Sequence, residues 1–153
     1  MLLNTKNFGQ REIDENKIIK FEDGIPGFPN SKHFIMLIEN DETISTIWWL
    51  QSIDDENLAF PVLNTFAVLD NYRPEIDDAL LETLGEFSTE DLAVCNILVV
   101  PEDITQMTTN LKAPIIINVA TKKGMQVIVN NSEYDVKHNI YAEIKKYNEK
   151  VGE

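Results

Sequence analysis

Positive charge is nearly missing from the middle of this 153-residue chain. Residues 33–111 hold sixteen Asp/Glu against a single basic residue, Arg73, a local balance of −15. The flanks are ordinary: residues 1–32 balance at zero and residues 112–153 at +2, which returns the whole-chain value of −13. A field of that sign repels nucleic acid and anionic membrane and attracts a basic surface. Solubility is the plainer explanation of such a block. Cysteine is nearly missing too. The one thiol, Cys95, lies inside the apolar run Leu92–Val100. It makes no internal disulfide, which suits a reducing compartment. No apolar stretch approaches the ~18 residues of a membrane span. Met1–Asn7 has no long apolar h-region, so no signal peptide is expected. The expected location is cytoplasmic, where the Asn130-Asn131-Ser132 sequon carries no meaning.

The equipment of catalysis and metal binding is also sparse. No Gly-rich phosphate loop occurs. The two histidines, His33 and His138, are far apart, and neither stands in metal-ligand spacing with the other or with Cys95. No metal and no cofactor are expected. His33 opens an apolar run and reads as structural. A Cys–His pair stays open by sequence, yet a thiol buried mid-strand is usually inert. Carboxylate runs, Glu39-Asn40-Asp41-Glu42 and Asp54-Asp55-Glu56-Asn57, are the only enzyme-like feature. A small hydrolase would need two carboxyls across a cleft, one with a raised pKa. Acids at strand ends are more often solvated turn residues. Neither run has the spacing of a calcium loop. No catalytic residue is assigned.

What is present is a β pattern. Hydrophobic content of 43% and charged content of 25% are ordinary for a globular protein. The length suits one domain spanning 1–153. Short runs rich in Ile, Val and aromatics cover 17–21, 33–38, 44–52, 58–63, 66–69, 92–100, 115–119 and 125–129. Polar turns separate them, which predicts a single-domain antiparallel β-barrel-like fold. Gly24, Pro26 and Gly27 mark a reversal at Ile25–Phe28: proline suits the second position of a type II turn and glycine the third. Three stretches read as helix. Ile76, Leu80, Leu81 and Leu84 share one helical face over 76–84, with Gly85 as its stop. Ser88-Thr89-Glu90-Asp91 opens a short one over 88–91 with an N-cap and following acids. Ile140, Ile144, Tyr147 and Val151 recur at helical spacing, a C-terminal helix over 139–150 within an extension spanning 139–153.

Four segments in order carry a family resemblance: Phe21-Glu22-Asp23-Gly24-Ile25-Pro26-Gly27-Phe28; Trp49-Leu50-Gln51-Ser52-Ile53-Asp54-Asp55 followed by Leu58-Ala59-Phe60; Asn110-Leu111-Lys112-Ala113-Pro114-Ile115-Ile116-Ile117-Asn118; and Gly124-Met125-Gln126-Val127-Ile128-Val129 followed by Ser132-Glu133-Tyr134. Together they resemble the flagellar assembly factor FliW from about residue 2 to residue 138. Pro61, Thr65 and Lys112 depart from the family pattern, and the stretch after Asn139 looks longer and more helical. A proline inside a run cannot donate to a ladder, so the 58–63 strand should lie at an edge or carry a bulge there.

The resemblance implies a non-enzymatic binding protein with two partners: the RNA-binding translational repressor CsrA and flagellin. It also implies that flagellin export frees the protein to capture CsrA, relieving repression of flagellin translation. Direct nucleic-acid or membrane binding is not expected. An RNA-gripping repressor is basic, so the acidic block gains a matching partner. The alternatives are a carboxylate-based hydrolase and a flagellin chaperone without a regulatory role. The candidate contact residues are Trp49, Gln51, Ser52, Asp54, Asp55, Asn110 and Pro114. Trp48 and Trp49 are neighbours on one strand, so they point to opposite faces: one core, the other an exposed anchor. Gln51–Asp55 leaves the strand into a polar loop, the favoured contact. Asn110 also suits a turn cap and Pro114 the start of a strand.

Overall fold

The computed structural model describes residues 1–38 and 46–151. The Glu39–Glu42 acid run and the first residues of the expected 44–52 strand lie outside the described residues. Two strands, β1 (Leu2–Thr5) and β2 (Gly9–Glu12), form an N-terminal hairpin. Nine more strands form one sheet: β3 (Ile19–Lys20), β4 (His33–Leu37), β5 (Ile47–Ser52), β6 (Ala59–Leu63), β7 (Leu92–Val99), β8 (Thr108–Thr109), β9 (Ile115–Asn118), β10 (Lys123–Gln126) and β11 (His138–Asn139). The helices are α1 (Thr65–Val68), α2 (Asp78–Glu82) and α3 (Tyr141–Val151).

The sheet closes on itself. Running order is β7-β6-β5-β4-β3-β10-β9, and β9 pairs back onto β7. Strand β7 makes this possible by dividing its length. Leu92–Cys95 pairs with β9, Asn96 and Ile97 pair with β6, and Leu98 and Val99 pair with β8. The expected barrel-like body is therefore present. Its pairings are antiparallel except one: β3 and β10 run parallel, with Lys20 opposite Lys123.

Closure explains why the strands read as continuous apolar runs rather than as alternation. Both faces of the sheet are covered. Along β4, Phe34 and Met36 point into the barrel, while Ile35 and Leu37 point out under the N-terminal hairpin with Leu3 and Ile13. Along β5, Trp48 joins the interior and Trp49 the hairpin side. Along β9, Ile115 and Ile117 face in, while Ile116 faces out against Leu84 and the α2 side chains. Leu63, Leu98 and Met107 take Ile140 and Ile144 from the C-terminal stretch. A strand buried on both faces has no polar side to alternate with.

Several expected boundaries move for visible reasons. The 66–69 run, expected as strand, is helix α1. The Thr65 hydroxyl donates to the buried Asn96 Oδ1, and the Leu69 N–H closes the turn on the Thr65 carbonyl. Tertiary bonds there override the β preference of Phe66 and Val68. The 76–84 helix shortens to Asp78–Glu82 because residues 73–77 are held irregular by the 130–134 turn. Its four apolar residues still pack together, and Gly85 stops it at φ 96. The 88–91 stretch is a 3-10 turn at Thr89–Asp91, with the Asp91 carboxylate accepting from the Ser88 N–H and hydroxyl. The last helix begins two residues late because Asn139 pairs with Thr108, and its side chain caps the Tyr141 N–H. Strand 17–21 shrinks to two residues because Glu15–Lys17 form a 3-10 turn capped by Asp14. Strand 125–129 shifts to Lys123–Gln126, and Val127 and Val129 donate instead to the Pro114 and Lys112 carbonyls.

Pro61 meets the edge condition locally. Ser52 donates to the Leu58 carbonyl at 2.9 Å and Asn64 to the Thr46 carbonyl at 2.7 Å. Even-numbered residues of β6 therefore face β5 with their backbone groups, and the Pro61 nitrogen faces away. On that far side β7 pairs only with Val62 and Leu63, so no ladder bond is lost.

Candidate partner-binding site

The first two family-like segments meet in space. Ile25–Phe28 forms the expected tight turn, closed by the Phe28 N–H on the Ile25 carbonyl at 2.7 Å, with Gly27 at φ 90. Gly24 is required twice over: its φ is 68, and an added Cβ would lie 2.7 Å from the Phe28 carbonyl oxygen. The half-exposed Phe28 ring packs edge-on to Phe60 at 5.2 Å. Beside it sits the β5–β6 loop. The Asp54 carboxylate accepts from the Lys32 and His33 N–H groups at 2.7 and 3.0 Å and lies 3.2 Å from His33 Nδ1. Burial pushes its pKa up, but those N–H bonds and the His33 ring outweigh it and hold the carboxyl below its ordinary value. Asp55 is exposed, and its carboxylate accepts from the Asn57 N–H.

Gln51 and Ser52 are placed differently from expectation. Gln51 is 1% exposed and Ser52 is fully buried. The Gln51 Oε1 accepts from the Lys6 N–H, and its Nε2 donates to the Ser52, Glu56 and Leu58 carbonyls. The Ser52 hydroxyl donates to Ser31 Oγ and accepts from the Asp55 N–H. Their polarity, which suggested contact, is consumed in tying three loops together. Trp49 is half-buried against Phe8 of the hairpin, ring centroids 6.3 Å apart, so it is not a free-standing anchor. Of the five candidates here, Asp54 and Asp55 are exposed and Trp49 is half-buried.

Asn110 and Pro114 belong to a second cluster. Asn110 Oδ1 caps the Lys112 and Ala113 N–H groups, and Pro114 is buried at the start of β9. The Asn110 carbonyl accepts from buried Asn96, which also donates to the Tyr72 hydroxyl; that hydroxyl donates to the Leu111 carbonyl. Burial pushes the Tyr72 phenol up to about 12. The fourth segment has a structural task in the same place. Tyr134 accepts from the Arg73 N–H, Asn131 bonds the Arg73 carbonyl and the Glu75 N–H, and Asn130 donates to Asp77. Residues 69–77 are thereby pinned as a strap across the outer face of the barrel.

Between this strap and α2 lies a groove of about 690 Å³ that the sequence did not announce. Its floor is Val94 and Ile116, direct partners on β7 and β9, with Leu92 beside them. Ile76 and Leu81 form the sides, and Phe66, 44% exposed, closes one end. Asp70 and Glu75 stand on the rim. The available signal was the density of acids over 70–91, eight Asp/Glu against Arg73, on the segment that builds both walls. The Arg73 guanidinium is turned to the Asp70 and Tyr72 carbonyls.

The chain is thus a small, ring-closed, mainly β protein with an apolar groove on its outer face, where Asp70, Arg73 and Glu75 stand at the rim. It belongs to the FliW family: the model described as FliW protein matches residues 2–140. It is 45% identical over 146 residues to the flagellar assembly factor FliW of Lachnoclostridium phytofermentans, covering 95% of this chain and 94% of that one. To the protein of that name from Lachnospira eligens it is 46% identical over 149 residues, covering 95% and 98%. A crystal structure of the flagellar assembly factor FliW superposes with a TM-score of 0.82 at 38% identity, covering 92% of this chain and 96% of the other.

Proposed function

We propose that this chain is a non-enzymatic, cytoplasmic flagellar assembly factor that binds flagellin and the RNA-binding translational repressor CsrA. Export of flagellin frees it to capture CsrA, and flagellin translation is then no longer repressed. The observation that carries the reading is family membership over nearly the whole chain, with relatives named for flagellar assembly. Charge supports the choice of a basic partner: the −15 block repels RNA while attracting a surface built to grip phosphates. Steering of this kind raises the association rate more than the final affinity. Exposed ion pairs contribute only about 0.2–1 kcal/mol each. An apolar anchor must therefore hold the complex.

The hydrolase reading has less support. Among the described residues the carboxyls with displaced pKa are Asp54, Asp103 and Glu133, and all three are lowered. A general acid needs the opposite displacement. No helix among the described residues is long and apolar enough to cross a membrane.

The deciding experiment is capture by immobilised CsrA in RNA-free buffer, followed by stopped-flow association at rising salt. Binding that slows with salt is expected. Capture at a rate flat in salt refutes steering. Binding of flagellin without capture by CsrA leaves a chaperone with no regulatory role.

A further inference from the structure

We propose that the open edge of β7 at Leu92–Val94 is a docking site for an extended segment of a partner protein, which adds to the ring as a short antiparallel strand. This rests on reading the chain as a binding protein, and it assigns that binding to a strand edge outside the four family-like segments first considered.

The edge follows from the ladder. The Val119 N–H donates to the Asp91 carbonyl, and Ala93 and Cys95 continue that register against Ile117 and Ile115. Odd-numbered residues of this half of β7 therefore bond β9. Alternation turns the Val94 N–H and C=O and the Leu92 C=O to the opposite side. Strand β6 does not reach them: it pairs with Asn96 and Ile97 only, and the chain then turns into α1. The Leu92 N–H is already given to the Thr89 carbonyl. One donor and two acceptors thus stand in register with no strand partner among the described residues. Backbone groups of that kind are the template for an added strand.

These groups decide the form of the occupant. A helix spends its backbone on itself and would leave the edge unpaired. An extended chain satisfies all three groups and continues, in antiparallel sense, the ladder that β6 makes with Asn96. The residue opposite Val94 exchanges both backbone bonds with it, and its side chain lies on the same face of the sheet as that of Val94. That face is the outer one, where Val94 and Ile116 share an apolar cluster with Ile76 and Leu81. Apolar side chains at alternate positions of the added strand would cover this half-buried surface.

Charge does not choose the partner here, since Asp70, Arg73 and Glu75 put both signs on the rim. Access does. Leu92 and Val94 lie in a groove bounded by Phe66, the strap and Thr89, so the edge is recessed. A second copy of this chain would bring an edge equally recessed, and two such edges cannot meet. A loose terminal or connecting segment of another protein can enter. The open run, Leu92–Val94, is short, so the added strand is short as well.

The test combines amide hydrogen exchange with methyl NMR on the full chain. In the free protein the Val94 amide should exchange faster than those of Ala93 and Cys95, which bond β9. Equal protection would show the edge to be covered and would overturn the proposal. The probe is a capped, uncharged peptide of about seven residues in which Val and Thr alternate. Saturable shifts at Val94, Ile76 and Leu81 are expected, with the Val94 amide protected in the complex and Leu3 and Leu37 under the hairpin unmoved. N-methylation of the Val residues removes the N–H groups that pair with β7 and should weaken binding at least about tenfold. The Thr N–H groups point away from β7, so N-methylation there should change binding by less than about twofold. Equal loss from the two sets, absence of binding, or shifts confined to other surfaces overturns the proposal. So does Val94 protection that grows with protein concentration in the absence of peptide, which would make a second copy the occupant. Purified flagellin and CsrA serve as the second arm. If either binds while the Val94 amide stays unprotected, the docking site is wrong and the proposed function stands. If neither binds while the peptide protects Val94, the docking site stands and the proposed function fails.

Discussion

Gln51→Leu separates a structural glutamine from a contact glutamine. The substitution keeps roughly the volume and removes every hydrogen-bonding atom. Four bonds are lost: one from the Lys6 N–H and three to the Ser52, Glu56 and Leu58 carbonyls. Their consequences differ. The Leu58 carbonyl keeps the Ser52 N–H at 2.9 Å. The bond to the Ser52 carbonyl is buried, so that oxygen meets the penalty of an unsatisfied buried group, about 1–3 kcal/mol. The partly buried Lys6 and Glu56 groups can be reached by water and lose nearer the net value of a bond, about 0.5–1.5 kcal/mol each. The sum is about 4 kcal/mol. For a chain of this size that is a fall in melting temperature of roughly 8–16 °C. Urea unfolding should show a lower midpoint with an unchanged slope, since the same surface is exposed on unfolding. Affinity of the folded variant for CsrA should match the parent. A loss below about 1 kcal/mol combined with weakened CsrA binding would refute the structural assignment and restore Gln51 as a contact.

Three further outcomes are expected. Gly24→Ala should cost more than Gly27→Ala in urea unfolding: both sit at positive φ, but only the Gly24 Cβ meets backbone, at 2.7 Å from the Phe28 oxygen; equal losses would show that the close approach relaxes freely. Asp54 has a folded pKa below its ordinary 3.8, so its stabilisation is present above that value and is lost as pH falls through the folded pKa. Asp54→Asn should therefore lower stability at neutral pH and flatten the acid limb of the stability curve, and an unchanged limb would remove Asp54 as its source. Cys95 is buried, and burial pushes its thiol up to about 12. Iodoacetamide at mildly alkaline pH should leave the native protein unlabelled and modify it fully in urea, whereas rapid native labelling would contradict the packing.

Legibility followed the range of the interaction. The Ile25–Phe28 reversal was readable because four consecutive residues and one hydrogen bond make it. The α2 face was readable because Ile76, Leu80, Leu81 and Leu84 repeat at helical spacing, although the helix itself is shorter. The two short strands β8 and β11 were not, since two residues of pairing leave no periodic trace. The N-terminal hairpin was missed because Gly9–Glu12 is almost wholly polar. Among contact candidates, the error at Gln51 and Ser52 was one of destination: a polar pair at a strand end serves equally well outside, facing a partner, or inside, binding loops.

By itself, then, the sequence determined the charge field, the sharp turns and the doubly buried strands, because each depends on residue type and on neighbours within a few positions. Tertiary structure alone decided that β9 returns to β7, that Phe66 lies in a helix rather than in a strand, and that Tyr134 and Asn131 pin a strap, with Asn131 and Arg73 58 residues apart. It decided as well that Asp70, Arg73 and Glu75 stand beside an apolar floor drawn from β7 and β9. Pairings between distant segments are set by which surfaces can be buried together, and one-dimensional spacing carries no record of that.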